Sequence, residues 1–210
     1  MDAVNWLVHG KHGDAPECAC PIVAAYVIQG NDGMPDDIRQ RLLGYLHRIA
    51  GSRNADSENA RLRVLVLAAA RMFVPLALDA TGLTVEATKL RLLPDDTTFE
   101  DLEIATRAAK AATRGAKAAK AATRAASAAK AATRAASAAR AASAAWAASA
   151  AWAASAAARA VGWTTGNWDA YFDVLDAVLN AGPQGEPWSA DVVACGTARF
   201  VEAGGLLEAV

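Results

Sequence analysis

A chain of 210 residues is long enough for one sizeable hydrophobic core, or for a domain with an elongated element attached. The hydrophobic fraction of 54% is inflated by alanine, which buries little area per residue, and three cysteines exclude the even-numbered disulfide framework of a small secreted protein. The net charge of −1 hides a division: residues 104–168 hold ten Lys or Arg and no acid, so this stretch stands at +10 and the rest at −11.

Such a division predicts a basic binding surface, or a basic element docked on its own acidic domain. The N-terminal MDAVNWLVHGKHG has none of the basic start, apolar run or small-residue cleavage site of a signal peptide, so a cytoplasmic location is expected.

Residues 2–9 make a short apolar segment with Trp6, Leu7 and Val8, followed by GKHGDAPEC, a loop by its Gly and Pro content. A helix is expected from about Cys20 through Gln29, with Pro21 in the first turn, where its missing N–H costs nothing. After the NDGM turn, Pro35-Asp36-Asp37 opens the next helix with two carboxylates at the positive end of its dipole. Ile38, Leu42, Leu43, Leu46 and Ile49 mark its buried stripe and Gly51 its stop. Ser57 caps a long helix through Leu62, Leu65, Val66 and Arg71, which Pro75 should kink or end. Thr84 starts a short helix reaching Leu93 before Pro94. Thr97 with Glu100 then has capping-box spacing at the head of the Ala-rich segment.

Residues 105–160 contain 34 Ala among 56, and a ten-residue unit recurs as AATRGAKAAK, AATRAASAAK and AATRAASAAR before collapsing to AAS and AAW triplets. Ala has the best intrinsic helix propensity, so helix is the only sensible expectation. At about 100° per residue, each ten-residue unit drifts by about −80°, so the cations Arg107, Lys110, Arg114, Lys117, Lys120 and Arg124 wind around the rod. A strict heptad coiled coil is not expected, because no Leu or Ile fills the a and d positions. One unbroken helix over 98–160 would run about 95 Å and overhang a globule with a radius of gyration near 15 Å. Either a protruding rod or a break is therefore expected, the break near Gly115, where Gly costs about 1 kcal/mol relative to Ala.

The uncharged stretch 141–158 barely reaches membrane-spanning length, and Ser143, Ser149 and Ser155 oppose insertion, so no membrane span is expected. Trp146 and Trp152, about 240° apart on a helix, are interaction candidates expected to be largely buried against different neighbours. One such neighbour is the strongly amphipathic helix in NWDAYFDVLDAVLNAG, around Trp168, Tyr171, Phe172 and Leu175, with Gly182 as its stop. SADVVACGTARFVEA is a weaker last helix, and no stretch shows sustained strand alternation. The expected fold is all-α. It comprises a helical part over 1–96, an Ala-rich helix over 97–161, and a C-terminal pair over 162–210 that packs back on the first part.

Candidate chemistry is sparse. His9, His12, Cys18 and Cys20 are residue types suited to tetrahedral Zn, though H-x2-H-x5-C-x-C is not an established zinc spacing and ordinary loop and core roles explain them. Cys195 and His47 sit in predicted helices, where a buried free thiol explains the first and packing or solvation the second. Asp36/Asp37 and Asp95/Asp96 lie at predicted helix starts, where capping explains them. No phosphate-binding, metalloprotease or nucleophile-elbow motif occurs, so no cofactor and no enzyme is expected. The leading reading is a non-enzymatic packing or interaction protein that binds a protein partner or itself. The alternative is sequence-independent nucleic-acid binding through the basic helix.

PECACPIVAAYVIQGNDGMPDDIRQRLLGYLHRIAGSRN, followed by RMFVPLALDATGL, resembles a family of uncharacterised actinobacterial and actinophage proteins. These pair a helical front part, with an HGxH stretch, an ND-x-LPD-like turn and RQRL, with Ala-rich repeats. The resemblance implies a helical fold and no particular activity. A weaker likeness, to Ala-rich helical immunity-like proteins of bacterial toxin systems, implies a toxin-neutralising role.

Overall fold

Pro21 and Pro35 divide the front of the chain as their fixed φ requires. In the computed structural model, which describes residues 18–113, 119–140, 144–166 and 168–182, helix α1 spans Pro21–Asn31 with Cys20 at its N-cap. Pro35 caps α2 (Asp36–Arg39), and a 3₁₀ segment, Gln40–Tyr45, leads into α3 (Leu46–Ala50). The expected single helix here is thus partly 3₁₀, and of its predicted stripe Leu42 and Ile49 are buried while Ile38, Leu43 and Leu46 are half-buried.

A 3₁₀ turn at Ala55–Ser57, capped by Asn54, which accepts from the Asp56 N–H at 2.9 Å, precedes α4 (Glu58–Ala68). Ser57 occupies the N-cap of α4 without a side-chain capping bond, so the expected capping role passes to Asn54. The α-helical run ends at Ala68, ahead of Pro75, which was expected to kink or end it. A π-helical segment, Ala69–Phe73, precedes α5 (Val74–Asp79), with Pro75 in the first turn of α5. The wider π turn falls where the proline ring would meet the carbonyl of Arg71 and where its N–H is missing. Next comes α6 (Thr84–Arg91).

The cap of α7 (Phe99–Ala112) sits one residue later than expected. Thr98 Oγ1 accepts from the Asp101 N–H at 3.1 Å, and Thr97 instead bonds the Pro94 carbonyl at 2.6 Å. Helices α8 (Ala119–Arg140) and α9 (Ala144–Thr165), each of 22 residues, follow, and then α10 (Asp169–Asn180). The expected Gly182 stop carries a φ of 73°, a left-handed conformation suited to glycine. Every regular element among the described residues is helical. The fold is all-α.

The Ala-rich segment is neither one helix nor a protruding rod. It is folded into antiparallel α7, α8 and α9, with α8 packed on both neighbours and α9 also packed on α1. Gly115, where a break was expected, lies outside the described residues, and α7 ends just before it. Between Arg140, where α8 ends, and Ala144, where α9 begins, the sequence has no Gly or Pro, and residues 141–143 lie outside the described residues.

The packing seam explains how alanine suffices. On α8, Ala125, Ala128, Ala132, Ala135 and Ala139 are buried, a 3-4-3-4 spacing, and on α9 the buried positions Ala150, Ala154, Ala157 and Val161 repeat the same rhythm. Ala129, Ala131, Ala136 and Ala138 on α8 and Ala151 and Ala158 on α9 are buried as well, so the contact face is wider than the two-position seam of a strict heptad coiled coil. Side chains that small let helix axes approach toward the short end of the ~8–10 Å range. What each alanine lacks in apolar area is offset by the low entropic cost of ordering it.

The run α4–α5 is the axis around which this hairpin and α10 assemble. Leu65, Val66, Ala69, Phe73, Val74, Ala77 and Leu78 are essentially inaccessible and belong to one continuous core reaching from Ala19 to Leu179.

Two polar devices close that core. Tyr26 on α1 and Tyr171 on α10 stack with ring centroids 4.5 Å apart, and each hydroxyl donates to the other's backbone carbonyl at 3.2 Å. Ser155 of α9 donates to the same Tyr26 carbonyl at 2.9 Å, tying three helices at one point. A Cβ at Gly30 would lie 2.3 Å from the Tyr171 hydroxyl, so only glycine permits this approach.

The second device is Arg61, which is fully buried. Its Nε donates to the Val178 carbonyl at 3.3 Å and Nη1 to the Ser52 carbonyl, while Nη2 has no hydrogen-bond partner. No carboxylate pairs with it among the described residues. Val178 belongs to the last turn of α10 and Ser52 follows the end of α3, so the charge faces the negative ends of two helices.

Candidate functional site

The drift of cations around a single alanine helix is undone by pairing two such helices. Arg107 and Lys110 project from α7, Lys130 and Arg134 from α8, and the antiparallel packing brings all four to one cleft of 320 Å³, with Ala111 and Thr133 completing its wall. The helices are joined beneath it by Thr133 Oγ1, which lies 3.0 Å from Thr106 Oγ1 and 2.8 Å from the Ala129 carbonyl.

The ion pairs of the described residues fall mostly elsewhere. Arg39 pairs with Asp36, Arg41 with Asp169, Arg48 with Asp176, Arg71 with Asp95 and Arg91 with Asp79. These arginines all belong to the front part, and the carboxylates they meet lie in that part or, for Asp169 and Asp176, on α10. The Arg48 guanidinium, with Tyr45 donating to the other carboxylate oxygen at 2.9 Å, holds Asp176 below its ordinary pKa. In the cleft, Arg107 pairs with Glu103 one turn earlier, whereas Lys110, Lys130 and Arg134 have no carboxylate partner among the described residues. The expected docking of the basic element on the acidic part does not engage these three cations.

Of the predicted basic surface, Arg107 and Lys110 stand in the cleft, and Arg124 lies further toward the start of α8, half-exposed. Arg114 and Lys117 lie outside the described residues, as does the side chain of Lys120. Lys130 and Arg134 repeat the Lys120/Arg124 pair one ten-residue unit later. Sequence reasoning placed them on a turning spiral and so passed over them.

Arg134 also lines a second opening, a groove of 730 Å³ between α8 and α9 whose other walls are Gln29, Ser137, Ala138, Ser149, Trp152, Ala153 and Ala156. Trp152 is not buried, as expected from the cost of solvating a large aromatic, but 46% exposed on this groove. The expected neighbour does not cover it. Trp168 of the C-terminal segment packs instead on Gly162, where a Cβ would lie 2.6 Å from the indole. The side chain of Trp146 lies outside the described residues. Trp152→Ala should therefore lower unfolding stability by under about 1 kcal/mol, not by the ~3–5 kcal/mol of an emptied aromatic site, as chemical denaturation would register.

His9, His12, Cys195 and the predicted last helix all lie outside the described residues. Cys20 is buried, its backbone N–H donating to Ser52 Oγ at 2.9 Å, and burial pushes the Cys18 thiol pKa up. Among the described residues no group of three or more His, Cys, Asp or Glu could hold a metal ion. No helix among them is long and apolar enough to cross a membrane, the 22-residue α8 and α9 included.

No family model, curated protein or solved structure matches the chain. What the fold and its open surface define is a class: an all-α protein with a buried alanine seam and a cationic cleft on its outer face.

Proposed function

We propose that the protein is a non-enzymatic, cytoplasmic interaction protein whose Ala-rich hairpin holds an anionic macromolecular partner. The observation that supports this is the convergence of Lys110, Lys130 and Arg134 from two helices without carboxylate partners among the described residues. Cations concentrated in a concave site raise the local potential and attract polyanions, with an affinity that falls steeply as salt rises. The cleft offers positive charge, and its hydroxyl, Thr133, lies within bonding distance of Thr106 Oγ1 on the neighbouring helix.

Retention on an immobilised polyanion such as heparin tests the reading. The triple variant Lys110→Gln, Lys130→Gln, Arg134→Gln should keep its helicity, because Gln is also a good helix former. It should elute at lower salt, with the log–log salt slope of binding reduced by about 2–3. Wild-type protein that flows through at low salt, or a triple variant that elutes with it, would refute the reading.

A further inference from the structure

The cationic cleft and the Trp152 groove are not separate features, because Arg134 belongs to the lining of both. We infer that the anionic partner is a single-stranded nucleic acid, its phosphates following Lys110, Lys130 and Arg134 and one of its bases stacking on Trp152. This rests on the polyanion reading and adds to it the class of partner.

Three observations carry the inference. First, a large aromatic is left 46% exposed on a surface built mostly of Ala and Ser, on the same groove as Arg134, which has no carboxylate partner among the described residues. An indole face next to positive charge suits a ligand that carries both a phosphate and an accessible π-face, which an unpaired nucleotide does. A duplex keeps its bases stacked inside, and an acidic peptide presents charge without a ring to stack.

Second, the groove walls are small. Ser137, Ala138, Ser149, Ala153 and Ala156 leave open space of 730 Å³ around the indole, enough to seat a base where larger side chains would fill the site. Gln29, on the same groove, adds an amide that can both donate to and accept from a base edge. Third, the path has the right length. From Lys130 through Arg134 to Ala138 the surface advances eight residues along α8, about 12 Å, or roughly three stacked nucleotides at 3.4 Å each.

The test is fluorescence anisotropy with a labelled 12-nucleotide oligothymidylate. Comparisons are the same oligonucleotide annealed to its complement, and competition by polyglutamate of matched charge. The single strand should bind more tightly than the duplex and resist polyglutamate. Trp152→Ala should weaken single-strand binding about ten-fold while leaving the salt slope unchanged, since stacking does not release counterions. Trp152→Phe should restore most of the loss by returning a ring. Equal affinity for strand and duplex, displacement by polyglutamate as effective as by unlabelled oligothymidylate, or a Trp152→Ala variant that binds like wild type would overturn this inference and leave the polyanion reading standing. No binding to any of these polyanions at low salt would overturn both.

Discussion

Arg61→Ala should destabilise the protein by about 3–5 kcal/mol, because it empties a packed site and removes the guanidinium bonds to two carbonyls. The guanidinium has no accessible surface and bonds the carbonyls of Ser52 and Val178, so α4 is joined through it to the ends of α3 and α10. The charge is balanced by helix ends, not by a carboxylate. This distinguishes the variants. Arg61→Lys keeps the charge but loses the planar fork, reaches fewer acceptors and leaves a buried ammonium, so it should be nearly as damaging as Ala. Arg61→Met removes the charge and retains most of the stem volume, and should lie nearest to wild type, since well-packed apolar replacements of buried charges are often tolerated. Urea unfolding of the three variants gives the order directly. An Ala variant with the wild-type midpoint would show that Arg61 holds nothing together.

The second large effect is alkaline. Burial pushes the pKa of both Tyr26 and Tyr171 well above the ordinary value, because neither phenolate could be solvated between α1 and α10. In the unfolded chain both ionise near pH 10. The stability that these two groups confer is therefore fully present below about pH 10 and is lost as pH rises above it, where the unfolded chain has released protons that the native state retains. Each contributes about 1.4 kcal/mol per pH unit, so the pair should steepen alkaline destabilisation by about 2.7 kcal/mol per unit. Denaturation midpoints between pH 9 and 11.5 measure this. The double variant Tyr26→Phe, Tyr171→Phe should lose that part of the slope, and a slope identical to wild type would mean the pair is not what titrates.

What a reader of the sequence alone could determine was local. Pro21, Pro94 and Gly182 each punctuate the chain through their own φ or missing N–H, and helices begin and end near them as those constraints demand. The all-helical class follows from the same local physics, since Ala propensity and the absence of strand alternation act residue by residue. The basic character of residues 104–168 was equally plain.

Tertiary structure decided the rest. Residues 140–144 read Arg-Ala-Ala-Ser-Ala, no poorer in helix propensity than what flanks them, yet α8, which ends at Arg140, and α9, which starts at Ala144, pack against each other. Apart from Gly115 the segment has nearly uniform propensity and no preferred breaking point, so the separation of α8 from α9, each about 33 Å long, follows from the burial available against α1, α4 and α5. The same cause governs the site. Arg107 and Lys110 meet Lys130 and Arg134 because α7 and α8 lie antiparallel, a juxtaposition that the turning spiral of one helix conceals. Trp152 is open to solvent for the same reason. Helical geometry sets the direction of a side chain relative to its own helix, but only the packing of the neighbours decides whether anything stands in that direction.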